Sequence, residues 1–284
     1  MTINQIAVVG AGQMGRGIAQ VFATAGKNVI IFDISQAIVD ASKAALEKGF
    51  SKQISKGKMT REDADAILSR ITFSADTEYA GAENVDIVVE AAIERLDLKK
   101  TIFKKLDAVT KPECILATNT SSISITEIAS AVEKKENVIG MHFFNPPVAM
   151  KLIEVIRGGN TSDEVDETVF ALAQEIGKTP VTVSEAPGFV CNRLLIPMLN
   201  EAIELVQNGV ASAEDIDTAM RLGCNHPMGP LTLADFIGLD TCLAIMDTIY
   251  EETHDSKYRA SLLLRKMVRA GKLGNKTGEG FFKH

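Results

Sequence analysis

The sequence has no tryptophan and only three tyrosines among its 284 residues, so aromatic platforms for stacking nucleic-acid bases are not prominent. It has four cysteines, Cys114, Cys191, Cys224 and Cys242, and no CxxC pair. That spacing argues against a zinc site or other metal centre and against a dense disulfide framework, and it fits reduced thiols in a cytosol. No apolar run approaches the ~18 residues that cross a membrane. No basic segment precedes the first apolar run: after Met1-Thr2-Ile3-Asn4-Gln5 the chain enters a strand pattern at once, which argues against secretion. An excess of positive charge is missing as well. Thirty Lys plus Arg stand against 37 Asp plus Glu, a net charge of −7. An acidic chain is a poor partner for nucleic acid or an anionic membrane. These absences point to a cytoplasmic protein with small-molecule business.

What is present is ordinary globular composition, 46% hydrophobic and 24% charged, ample for a core and unlike a disordered chain. At ~100–200 residues per domain the length allows one large domain or two smaller ones. The first part alternates strands and helices. Continuous Val/Ile runs at residues 6–9, 29–32, 85–89, 115–117 and 138–143 read as strands buried on both faces, hence a mostly parallel sheet with helices on each side. Runs at 152–156 and 180–183 complete it. After Ala186-Pro187-Gly188 helical patterns follow one another, at 189–207, 213–222, 231–237, 239–253 and 262–270. The expectation is a Rossmann-type α/β domain over residues 1–185 and an all-α domain over 186–284. One island departs from the acidic average. Between Lys43 and Arg61 lie six basic residues and one acid, with Lys48, Lys52 and Lys56 four apart on one helix face. Gly57 ends that helix, and Thr60 with Asp63 suits the start of the next. We read a helical hairpin inserted at about 43–69. A solvated helix face explains the lysines equally well.

The loop Gly10-Ala11-Gly12-Gln13-Met14-Gly15 follows the first strand directly and opens the first helix. Gly10 suits the tight turn, Gly12 lets a pyrophosphate approach the backbone, and Gly15 lets helix and strand pack closely. The helix N-terminus presents unpaired N–H groups to phosphates. Asp33 ends the second strand, where a carboxylate suits the adenosine ribose hydroxyls and repels a 2′-phosphate. NAD is therefore favoured over NADP.

Among four histidines, His142 is the one at the C-terminal end of a predicted strand, the edge where ligands gather on such sheets. Glu154 is an acid inside the apolar strand run that follows. Buried carboxylates need partners, and a His–carboxylate pair raises imidazole basicity for taking a hydroxyl proton. A hydrogen-bonded core histidine is the plainer alternative. Two polar segments could hold a substrate oxygen. Asn119-Thr120-Ser121-Ser122 follows another strand, where helix capping would also explain it. Asn192 lies at the expected domain junction, where an interdomain hydrogen bond would explain it. His226 sits in a helical-domain loop without a carboxylate in its segment and reads as structural.

Together these segments resemble the short-chain L-3-hydroxyacyl-CoA dehydrogenase family. The resemblance rests on GAGQMG from Gly10, VVEAAIE from Val88, NTSS from Asn119, HFFNPP from His142, APGFVCNR from Ala186, PMGP from Pro227 and KTGEGFF from Lys276. It spans essentially the whole chain. It implies NAD-dependent, reversible oxidation of a (3S)-3-hydroxyacyl-CoA to a 3-oxoacyl-CoA, with the bacterial branch acting on the four-carbon chain the nearest likeness. It implies that His142 is the general base, that Glu154 orients it, and that Ser121 and Asn192 bond the substrate's C3 oxygen. Glu94, Lys99, Ser121, Asn145 and Lys276 match positions lining the NAD site, and the Lys52 and Lys56 region matches the hairpin that meets the CoA phosphates. A homodimer through the C-terminal helices is implied too. Two other readings are a β-hydroxyacid dehydrogenase acting on free acids, which would typically use a lysine in place of the His142 and Glu154 pair, and a non-catalytic NAD-binding relative.

Overall fold

A computed structural model describes residues 2–284. The chain forms two compact units, the first ending at Glu185 and the second beginning at Ala186. The first runs β1 (Gln5–Val9), α1 (Gln13–Thr24), β2 (Asn28–Phe32), α2 (Gln36–Ser55), α3 (Arg61–Leu68), β3 (Ile71–Ser74), β4 (Ile87–Glu90), α4 (Leu96–Val109), β5 (Ile115–Thr118), α5 (Ile125–Ala129), β6 (Val138–Phe143), β7 (Leu152–Arg157), α6 (Asp163–Glu175) and β8 (Thr179–Ser184). Among the described residues the strands form one eight-stranded sheet in the order β3-β2-β1-β4-β5-β6-β7-β8. Every neighbouring pair is parallel except β6 and β7.

The central strands β4, β5 and β6 are buried along their whole length, as their largely apolar sequences require in a sheet covered on both faces. From α1, Ile18 and Phe22 enter the core, and Phe22 meets Phe143 of β6 edge to face at 6.2 Å. Chain order reverses between β1 and β4. A crevice opens at such a switch point, beyond the C-terminal strand ends.

The basic hairpin differs from its sequence reading in start and in role. Its first helix begins at Gln36, not near 43, with the Ser35 hydroxyl accepting from the Ile38 N–H. The pair is the crossover that brings the chain from β2 to β3, whose residues pair with β2 in parallel. Two things hid this. Along α2 the buried positions are few, Val39, Ser42, Leu46 and Phe50, so its apolar period is faint. β3 is a four-residue edge strand, half-buried and polar at two positions. The inner boundary agrees with the reading. Gly57 adopts φ +65°, and Thr60 and Asp63 form a reciprocal capping box.

The second unit runs α7 (Cys191–Gln207), α8 (Ala213–Gly223), α9 (Pro230–Ile237), α10 (Leu239–Thr253) and α11 (Leu262–Arg269) around Ile196, Leu199, Ile203, Leu231, Met246 and Ile249. Two buried acids organise it. Asp217 accepts from the backbone N–H groups of Leu231 and Thr232, at 2.8 and 2.9 Å. Asp235 accepts from those of Phe281 and Phe282, at 3.0 and 2.8 Å. A Cβ on Gly229 would fall 2.2 Å from the Asp217 carboxyl carbon, and one on Gly280 2.0 Å from Asp235 Oδ1. Gly229 of PMGP and Gly280 of KTGEGFF are therefore packing requirements of this unit. No helix among the described residues is long and apolar enough to cross a membrane.

Candidate active site

The glycine loop joins β1 to α1 at the switch point. Gly10 has φ +104°, and a Cβ there would lie 2.7 Å from the Ala91 carbonyl oxygen. A Cβ on Gly15 would lie 1.8 Å from the Gly10 carbonyl oxygen. Both glycines are thus demanded by the protein itself. At Gly12 a Cβ would meet no protein atom within 4 Å, so packing leaves that position open. Gly12 is also the N-cap of α1 and provides no side-chain cap, which turns the helix N-terminus toward an anion. Ala11 is buried, and its N–H donates to Asp33 Oδ2 at 2.6 Å. Asp33 Oδ1 accepts from the Ile34 N–H at 2.7 Å. A cavity of about 520 Å³ continues from Gly10, Gly12 and Asp33 to the apolar side chains of Ile34, Ile38 and Ile93. Donors for a pyrophosphate, a carboxylate for ribose hydroxyls and an apolar slot for a base make these residues fit a dinucleotide.

Two contacts tie this loop to the segment after β6. Gln13 Nε2 donates to Asn145 Oδ1 at 3.0 Å. A Cβ on Gly17 would press on Pro147 at 2.9 Å, so the glycine in α1 admits the Asn145-Pro146-Pro147 loop. Lys178 Nζ holds the same loop from the other end, donating to the carbonyls of Pro147 at 2.5 Å and Met150 at 2.7 Å. Burial pulls that ammonium below the ordinary lysine range. Met14 packs against the core.

At the C-terminal end of β4 lies a cluster of buried charge. Glu90 is fully buried, and both its oxygens accept from Lys99 Nζ, at 2.8 and 2.9 Å. Lys99 is itself buried and lies 3.4 Å from Glu94 Oε2. The other oxygen of Glu94 accepts from the Thr120 hydroxyl at 2.6 Å, the Ser121 N–H at 2.9 Å and the Ser121 hydroxyl at 3.2 Å. Burial would raise the Glu94 carboxyl, but Lys99 and these donors outweigh it and hold it below the ordinary carboxylate range. Asn119 Oδ1 accepts from the Phe143 N–H at 2.8 Å, which joins the 119–122 loop to the end of β6.

His142 and Glu154 meet across the antiparallel β6–β7 pair, where register sets them directly opposite. His142 Nδ1 lies 2.7 Å from Glu154 Oε2, with both side chains buried. The Phe144 ring lies 4.6 Å from the imidazole. A neutral imidazole bonded to a carboxylate carries its proton on that nitrogen, which leaves proton exchange with a substrate to Nε2. The geometry suits the pair to taking and returning a substrate proton.

Lys52 and Lys56 are exposed at the end of α2 and, among the described residues, make no ion pair. In the second unit, Asn192 sits in the first turn of α7, and Lys276 Nζ binds Asp240 Oδ1 at 2.7 Å and Thr241 Oγ1 at 2.9 Å. His226 is half-buried in the loop after α8, its N–H donating to the Met220 carbonyl at 3.3 Å. Reading by sequence assigned no role to Glu90, Gly17 or Lys178. Glu90 had a signal, an acid closing an apolar strand; the other two are evident only from contacts distant in sequence.

The chain matches the domain described as 3-hydroxyacyl-CoA dehydrogenase, NAD binding domain, over residues 5–186, and the corresponding C-terminal domain over 188–284. It is 53% identical over 277 residues to a probable 3-hydroxybutyryl-CoA dehydrogenase of Deinococcus radiodurans, covering 98% of this chain and 99% of the relative. It is 51% identical to the 3-hydroxybutyryl-CoA dehydrogenase of Clostridioides difficile, covering 98% of each. The crystal structure of (S)-3-hydroxybutyryl-CoA dehydrogenase from Ralstonia eutropha is similar with a TM-score of 0.95 at 48% identity, covering 100% of this chain and 99% of the other. With both domains matched in order and the dinucleotide loop built as described, the chain belongs to the 3-hydroxyacyl-CoA dehydrogenase family of NAD-dependent oxidoreductases.

Proposed function

We propose that the protein interconverts (3S)-3-hydroxybutyryl-CoA and acetoacetyl-CoA, with His142 as the proton-transfer group. The observation behind this reading is the buried His142–Glu154 pair, at 2.7 Å, at the strand edge where Gln13 of the dinucleotide loop meets Asn145. Bound NAD supplies the hydride acceptor, and its reduced form the donor. In the oxidative direction His142 Nε2 takes the hydroxyl proton as C3 becomes a carbonyl carbon. In reduction protonated His142 returns it. The Glu154 carboxylate keeps the Nδ1 proton in place and stabilises the imidazolium. Ser121 is assigned to the C3 oxygen, with Glu94 fixing its N–H and hydroxyl. Asn192 and Lys276 keep their roles, at that oxygen and at the dinucleotide, on family resemblance alone. Lys52 and Lys56, exposed on one face of α2, are assigned to the CoA phosphates. Asp33 is assigned to the adenosine ribose, making NAD preferred to NADP.

Two further parts belong to the proposal. A homodimer through the C-terminal helices is supported by the exposed apolar side chains Leu194, Leu222 and Phe236 of that unit. A cytoplasmic setting suits the buried thiols of Cys114 and Cys242, pushed up to about 12 by burial.

A steady-state assay of acetoacetyl-CoA against acetoacetate, each with NADH and with NADPH, tests the reading. Turnover of acetoacetyl-CoA with NADH is expected. Turnover of acetoacetate alone would point to a free-acid dehydrogenase, and NADH binding without turnover of any acyl-CoA to a non-catalytic relative.

A further inference from the structure

We propose that Glu90 is a positioning residue for the reaction, setting the Ser121 hydroxyl through Lys99 and Glu94. The inference rests on the assignment of Ser121 to the substrate oxygen.

Glu90 is the last residue of β4, paired in register with Val9 on one side and Thr118 on the other. A carboxylate removed from water needs a full set of donors, and Glu90 has one. Its Oε1 accepts from the Ala92 N–H at 2.7 Å and from Lys99 at 2.8 Å. Its Oε2 accepts from the Thr118 hydroxyl at 2.7 Å and from Lys99 at 2.9 Å. Lys99 is thereby pinned by both oxygens of one acid and kept from solvent, at 1% exposure. A structural ion pair would end there. Here the ammonium also approaches Glu94 Oε2, at 3.4 Å, and Glu94 turns its other oxygen to Ser121. An ionised carboxylate only accepts hydrogen bonds, so Glu94 draws the N–H and hydroxyl of Ser121 toward one oxygen, which also accepts from the Thr120 and Ser122 hydroxyls. Without the charge of Glu90, the Lys99 ammonium shifts toward Glu94, its remaining carboxylate, and Glu94 is drawn off Ser121. Small misplacements of a group that meets the reacting atoms cost rate more than binding.

The test is a double-substitution cycle read in kcat and KM, using Glu90→Gln and Ser121→Ala singly and together. Glu90→Gln should lower kcat about tenfold or more, with KM for acetoacetyl-CoA changed less than about twofold. In the Ser121→Ala background, Glu90→Gln should lower kcat by less than about a further twofold, because residues acting through one group are not additive. If Glu90→Gln does not accumulate folded, Glu90→Asp, which keeps the charge and draws the carboxylate back from Lys99 by one methylene, takes its place in the same cycle, and a smaller kcat loss that likewise vanishes with Ser121→Ala is expected. Losses that multiply fully, or an unchanged kcat in folded Glu90→Gln or Glu90→Asp, would overturn the inference while leaving the proposed reaction intact. A normal kcat in Ser121→Ala alone would instead remove Ser121 from the reaction, and the role of Glu90 with it.

Discussion

His142 on β6 and Glu154 on β7 are cross-strand partners in the antiparallel pair of an otherwise parallel sheet, joined Nδ1 to Oε2 at 2.7 Å. The reversal of direction matters. It places a strand-borne acid opposite a strand-borne histidine, so backbone pairing fixes their separation and little depends on a flexible loop. Sites built on regular elements hold geometry more tightly than sites on loops.

Glu154→Gln retains shape and a hydrogen bond and loses the charge. With the anion gone, the protonated imidazole loses its stabilising partner, and reduction needs the protonated form. Steady-state kcat for acetoacetyl-CoA reduction should therefore fall, by no more than the ~10²–10⁴-fold scale of acid–base catalysis. A normal kcat would leave Glu154 a structural role only.

Asp33 accepts from the N–H groups of Ala11 and Ile34, which fixes a negative charge beside the dinucleotide loop. Combining Asp33→Ser with Ile34→Arg should shift the NADH to NADPH ratio of kcat/KM by tenfold or more toward NADPH, equivalent to about 1.4 kcal/mol. The comparison is made with both cofactors on both proteins. Better work with NADPH by the unsubstituted protein would contradict the assignment.

Gly12 and Gly15 should respond differently to alanine. At Gly15 the new methyl collides with backbone, 1.8 Å from the Gly10 oxygen, whereas at Gly12 it meets nothing within 4 Å. Gly15→Ala should lower the melting temperature markedly. Gly12→Ala should melt normally yet bind NADH weakly, as read by fluorescence titration. Equal NADH affinity in Gly12→Ala would remove the pyrophosphate from that position.

Lys52 and Lys56 should act on binding more than on chemistry, since exposed charges reach a distant phosphate group and not the reacting carbon. The double alanine variant should raise KM for acetoacetyl-CoA severalfold at low salt and less at high salt, with kcat little changed. A KM that is unchanged at every ionic strength would return these lysines to a solvated helix face.

The parts of the fold legible in the sequence were those with a strong local pattern. Buried runs such as Ile87–Glu90 and Val138–Phe143 are apolar at all but one position each, and glycine or proline stands between successive helices from α7 to α10. β3 was not legible, because an edge strand of four residues buries little. The glycine loop, Asp33, His142 and Glu154 were legible because each breaks a pattern with a residue whose chemistry has few other uses there. Glu90 breaks the same kind of pattern, but its worth depends on Lys99 nine residues on and Thr118 on the next strand. Asn119 joins Phe143 across 24 residues, a distance over which no local period speaks.

The central claim is that His142 moves the substrate proton. The most direct measurement is kcat for acetoacetyl-CoA reduction by His142→Ala, taken beside NADH affinity on the same preparation. The account expects kcat to fall about 10²–10⁴-fold while NADH binds as before, because residues 10–15 are untouched. A near-normal kcat with NADH bound normally would contradict it.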